Sequence, residues 1–138
     1  MSSGFQPSPL TTPYQLLGGD VIVRKLVARF YELMDTLPEA QGIRKLHPAD
    51  LSVSSEKLYM FLSGWLGGPQ LYVEKYGHPR LRARHLAFPI GNAEAIQWMR
   101  CMTQAMTEII ETAELRDWLE GELNKLAAFM RNLDANQV

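Results

Sequence analysis

Apolar residues in this 138-residue chain recur at intervals of three and four, and no appreciable segment alternates with period two. Residues so spaced share one side of a helix, so an all-α fold is the one that buries them. Val23, Leu26, Val27, Phe30, Tyr31 and Met34 stripe a helix from about Asp20 to Asp35. Leu58, Phe61, Leu62, Trp65 and Leu66 mark a second. Ala95, Trp98, Met99, Met102, Met106 and Ile109 mark a third. Leu115, Leu119, Leu123, Leu126, Met130 and Leu133 mark the last. Four substantial helices joined by short pieces point to two packed helix pairs rather than a regular bundle.

The punctuation agrees with this division. Thr12-Pro13 reads as an N-cap followed by proline at the first helical position, and Gly18-Gly19 ends that short helix. Asp20, the serines at 52, 54 and 55, Asn92 and Thr112 are the expected N-caps of the later helices. Pro38 opens a turn of helix toward Leu46, and His47-Pro48 breaks the chain. Gly67-Gly68-Pro69 terminates the second long helix. Pro79 suits the start of a short helix in which Leu81 and His85 share a face. Residues 1–11 lack pattern and are expected to be a flexible tail, with 12–138 forming the domain.

Composition excludes several function classes. Lys plus Arg number 14 and Asp plus Glu 15, a net charge of −1, with no basic excess for a nucleic-acid partner. Cys101 is the single cysteine, which rules out an internal disulfide and a cysteine metal cluster and fits a reducing compartment. No run approaches the roughly 20 apolar residues of a membrane span. The N-terminal stretch has no signal-peptide pattern, so a cytoplasmic protein is expected. The glycine pairs follow helices rather than strands and form no phosphate loop. Glu108/Glu111 and Glu120/Glu122 read as solvated carboxylates, which leaves the three histidines. His78 reads as a cap or surface residue and His47 as a loop residue, whereas His85 sits on an inward face.

The company of His85 is specific. Gly77-His78-Pro79-Arg80-Leu81-Arg82-Ala83-Arg84-His85 is followed by Phe88, Ile90 and Trp98-Met99-Arg100-Cys101-Met102. Phe30-Tyr31 and the segment from Met60 to Gly67-Gly68-Pro69 lie upstream. This ordered set closely resembles the group II truncated haemoglobins from about Pro13 to Leu133. The resemblance implies a truncated globin, a two-over-two helical sandwich around haem b.

By that resemblance His85 is the proximal ligand to the haem iron. Tyr31 and Trp98 are the distal hydrogen-bond donors, and His47, at a loop position that bears an aromatic residue in the family, is a further distal ligand-binding candidate able to donate to the ligand or to Tyr31. Lys57 and Arg84 match cations that pair with haem propionates, with Arg80 and Arg82 as spare cations. Ser54 stands at the distal gate, where a small side chain leaves a short path open. Phe30, Leu58, Phe61, Leu81, Phe88, Ile90 and Met102 are the expected apolar wall. The implied ligands are O2, NO and CO, bound reversibly at ferrous iron. Oxygen transport belongs to the family's range, but simple bulk carriage fits less well because two or three distal donors should slow release. NO detoxification or peroxide chemistry is also compatible, and turnover then requires a partner reductase because no flavin or nicotinamide motif is present. Two other readings stay open on the residues alone. One is a haem-free helical sensor or interaction module; the other is a metal-binding helical protein using His47, His78 and His85.

Overall fold

The computed structural model describes residues 11–86 and 88–132. Residues 1–10 of the expected 1–11 tail and the stripe residue Leu133 lie outside these. The described elements are all helical: α1 (Pro13–Leu17), α2 (Asp20–Thr36), α3 (Gln41–Arg44), α4 (Ser52–Trp65), α5 (Leu71–Tyr76), α6 (Leu81–His85), α7 (Asn92–Ile109) and α8 (Ala113–Met130). A short 3-10 turn, Pro38–Ala40, leads into α3.

The four long helices α2, α4, α7 and α8 make the two-over-two sandwich. α2 packs on both α4 and α7, and α7 packs on α8. Their stripes meet in one core, where Leu26, Phe30, Met34, Leu62, Met102, Met106, Leu119 and Leu123 are fully buried. Each such side chain contributes on the order of 1.5–3 kcal/mol of hydrophobic stabilisation.

Helix starts follow the expected punctuation with shifts of one residue. Thr12 caps α1 through a capping box with Gln15, and Gly18 closes it in the left-handed region at φ 116°. Asp20 is the first residue of α2 rather than its cap, a place held by Gly19. Its carboxylate accepts from the Tyr59 hydroxyl and from Arg24, so it ties α2 to α4 instead. Ser52 likewise opens α4, and the capping acceptor is Asp50, whose carboxylate takes the Ser52 N–H at 2.9 Å. Asn92 opens α7 behind Gly91, whose N–H donates to Glu94. Thr112 holds the cap position of α8, but its side chain makes no capping bond. A polar side chain at the first helical position already sits favourably at the positive end of the helix dipole, so tertiary partners can recruit it.

The α4 stripe is rotated from expectation. Tyr59, Met60, Leu62, Ser63 and Leu66 are buried, whereas Leu58 and Phe61 are half-buried and Trp65 is 36% exposed. The Gly67-Gly68 turn has a packing reason as well as a terminating one. A Cβ on Gly68 would lie 2.5 Å from the Tyr14 ring, so α1 lies directly against this turn. The Tyr14 N–H donates to the Leu66 carbonyl there.

Candidate functional site

His85 is the last residue of α6 and is half-buried. Its Nδ1 lies 2.6 Å from the carbonyl oxygen of Leu81, one turn earlier. A carbonyl only accepts, so Nδ1 carries the proton, and in the neutral imidazole Nε2 holds the lone pair. The Leu81–His85 spacing thus does more than share a face: it orients the ring and leaves one basic nitrogen for a ligand.

His47, in the loop after α3, shows the same local device. Its Nδ1 lies 3.0 Å from the Ile43 carbonyl oxygen. Burial holds its pKa below the usual histidine value, and the positive charge of Arg44 acts in the same direction against the Ile43 hydrogen bond. In its neutral form His47 presents an acceptor nitrogen, so donation from Nε2 requires the imidazolium.

Three aromatics from α2 and α7 join this side. Phe30 packs against Trp98, with ring centroids 5.1 Å apart, and edge-on against Tyr31 at 4.9 Å. The Tyr31 ring lies 5.9 Å from His47. Tyr31 is buried, which pushes its hydroxyl pKa well up, so it stays a neutral donor. That hydroxyl donates to the Ser54 carbonyl at 3.3 Å. Ser54, expected only as a small gate residue, therefore also fixes Tyr31 through its backbone, a role that no side-chain pattern encodes.

The expected apolar wall divides by burial. Phe30, Ile90 and Met102 are buried in the core; Leu58, Phe61 and Leu81 are half-buried; Phe88 is 41% exposed. The cations expected at the rim pair with aromatic rings. Lys57 Nζ lies 5.4 Å from the Tyr76 ring centre, and the Arg84 guanidinium 5.9 Å from that of Tyr72. Arg84 also donates to the Pro79 carbonyl at 2.7 Å. His78 accepts the Arg80 N–H at 3.1 Å, but it is not a helix cap: α6 starts at Leu81 rather than at Pro79, and its cap position, Arg80, has no side-chain capping bond. Arg82 is no spare cation: it donates to the Phe129 and Arg131 carbonyls at the end of α8. Cys101 is fully buried, and its thiol is pushed up to about 11 by burial, so it is a packed residue rather than a nucleophile.

The donor set fits a haem better than a bare ion. Among the described residues no group of three or more His, Cys, Asp or Glu converges on a point, which disfavours a three-histidine metal site. A porphyrin brings its own equatorial nitrogens and needs one imidazole from the protein. His85 offers that nitrogen, Leu58, Phe61, Leu81 and Phe88 are apolar side chains left partly open, and Lys57 and Arg84 are cations of the kind that pair with carboxylates. A groove of about 530 Å³ between α7 and α8, with Ile96, Met99 and Arg100 in its wall, lies on another face of α7 from Trp98 and holds no histidine. Among the described residues no helix is long and apolar enough to cross a membrane.

Comparison with known proteins agrees with this chemistry. A family model for bacterial-like globins matches residues 12–132. A group 2 truncated haemoglobin of Bacillus subtilis is 41% identical over 120 residues, 87% of this chain and 88% of that protein. The group II 2-on-2 haemoglobin of Agrobacterium tumefaciens superposes with a TM-score of 0.88 at 52% identity, covering 94% of this chain and 100% of its own. A truncated oxygen-avid haemoglobin from Bacillus subtilis superposes with a TM-score of 0.81 at 40% identity, covering 88% and 100%. With the family model spanning nearly all of the described chain, this protein belongs to the bacterial-like globins, as a group II truncated haemoglobin, a haem b family that binds diatomic gases.

Proposed function

We propose that the chain binds haem b through His85 Nε2 and holds O2, NO or CO on the face toward Tyr31, His47 and Trp98. The observation that carries this reading is the 2.6 Å approach of His85 Nδ1 to the Leu81 carbonyl. It fixes the tautomer and the orientation of the ring and leaves Nε2 for the iron, as carbonyl or carboxylate partners do for metal-bound imidazoles. Haem iron supplies reversible coordination of a diatomic molecule.

The protein's part is to position and to exclude. Tyr31 and Trp98 supply the O–H and N–H that retain a ligand able to accept hydrogen bonds. Phe30, Leu58, Phe61 and Met102 keep water from the pocket, which strengthens those few polar contacts. Lys57 and Arg84 pair with the propionates. The oxygen avidity named for the Bacillus subtilis relative is the direction this donor set supports. Slow release argues against bulk oxygen carriage. It favours redox work, conversion of NO to nitrate or reduction of peroxide, with a partner reductase supplying electrons.

The test is the visible spectrum of the purified chain as isolated, after reduction, and after addition of CO. A Soret band that moves at each step supports a His-ligated haem with an open site. Absence of a band after adding haemin overturns the reading and leaves a haem-free helical module working through its surface.

A further inference from the structure

The helix that carries His85 cannot hold its own place. α6 is five residues long, far below the length at which an isolated helix is stable. None of its residues is buried. It starts from Arg80 at φ 47°, a left-handed conformation that costs energy in any residue with a Cβ. The long helix on which it packs is α8.

The contact with α8 is made of hydrogen bonds concentrated on two residues. Asn132, just past the end of α8, donates from Nδ2 to the carbonyls of His85 at 3.1 Å and Phe88 at 2.8 Å. Its Oδ1 accepts the Ile90 N–H at 3.0 Å, and its own N–H donates to the Ile90 carbonyl at 2.8 Å. One side chain thus satisfies the backbone on both sides of the turn that follows His85. From the other direction Arg82 donates to the Phe129 and Arg131 carbonyls, at 3.0 and 2.6 Å. Those carbonyls belong to the last turn of α8, where orphan acceptors collect. α8 in turn is rooted in the core by Leu115, Leu119 and Leu123.

We propose that Asn132 and Arg82 form a clamp that sets the position of His85, and that both are positioning residues for the proximal imidazole. The Leu81 carbonyl fixes the rotation of the ring; the clamp fixes the carbonyl end and tilt of the helix bearing it. The rigid core is thereby connected to the iron-binding nitrogen through α8 rather than through α6 packing. This inference rests on the haem reading above.

The experiment uses the full chain loaded with haem, as wild type and as the variants Asn132→Ala, Asn132→Asp, Arg82→Ala and Arg82→Lys. The readouts are the rate of haem loss to an excess of an apo-globin acceptor, the iron–histidine stretching band of the ferrous form by resonance Raman, and helical content by circular dichroism. Asn132→Ala and Arg82→Ala are expected to lose haem on the order of 10- to 100-fold faster, the range for removing a partner that orients a metal ligand. Their iron–histidine band shifts or broadens while helical content holds. Asn132→Asp keeps shape and acceptor but loses both Nδ2 donors, so it follows Asn132→Ala; it decides the matter if the alanine variant does not fold. Arg82→Lys, which still donates, recovers the wild-type band in part. A loosened α8 end without a positioning role would lower the melting temperature and leave the band in place. Unchanged haem loss and an unchanged band in Asn132→Asp and Arg82→Ala overturn the clamp alone. A wild-type chain that takes up no haemin overturns the haem reading with it.

Discussion

The Tyr31 hydroxyl donates to the backbone carbonyl of Ser54, 3.3 Å away across the α2–α4 contact. A phenol carries one proton, so Tyr31 must leave Ser54 to donate to a ligand, whereas the Trp98 indole N–H carries no such bond to α4. Replacing either donor is expected to speed O2 release. One hydrogen bond is worth about 0.5–1.5 kcal/mol, or roughly 2- to 10-fold in rate. Trp98→Phe should have the larger effect, because Tyr31 gives up an existing partner in the exchange. CO, a poor acceptor, should leave at a nearly unchanged rate. Stopped-flow displacement of both gases checks this, and equal O2 off-rates in wild type and Trp98→Phe would remove Trp98 from the distal network.

His85→Ala removes the proposed iron ligand and, because α6 buries none of its residues, little of the core. The variant is expected to keep its helical circular dichroism and to lose haem on purification. A Soret band of wild-type intensity in this variant sinks the assignment.

His47 gives a pH dependence whose sign follows from its surroundings. Burial, aided by the Arg44 charge, lowers its pKa in the folded chain below the free value of about 6.5. The unfolded chain therefore binds the proton more readily, and stability rises with pH through the interval between the folded pKa and about 6.5. As pH falls through that interval the stability due to neutral His47 is lost. Thermal unfolding of wild type and His47→Phe between pH 5 and pH 8, an interval of about three units around the free imidazole value, isolates this part. A flatter profile is expected for the variant, and parallel profiles would make His47 a bystander.

Gly68→Ala tests the seam between α1 and α4. The added methyl would meet the Tyr14 ring at 2.5 Å. Overpacking of this kind costs about 1–3 kcal/mol, and a lower melting temperature should report it. An unchanged melting temperature would show that Tyr14 swings away at no cost.

The helices and most of their buried faces were legible in the residues. Spacing of three and four at Val23 to Met34, and at Leu115 to Met130, specifies a buried side without reference to any neighbour. The caps were legible only to within a residue, because Asp20 and Asn92 found tertiary partners in Tyr59 and Arg131. The α4 stripe rotated for a related reason. Its apolar residues cover more than one face, and neighbours choose which one enters the core: Tyr59 and Met60 did, Trp65 did not.

What the amino-acid order determined by itself was the set of local relationships. These are the helical periods, the breaks at Gly and Pro, and the four-residue step from Leu81 to His85 that lets the ring reach its own helix's carbonyl. What only the tertiary structure decided was which distant groups meet. Ser54 holds Tyr31, the His47 ring comes to lie 5.9 Å from that of Tyr31, and Asn132 reaches back to the His85 and Phe88 carbonyls. Hydrogen bonds to backbone carbonyls over such separations depend on where the chain returns to itself. Every residue offers that same carbonyl, so no residue type or spacing marks the one that is used.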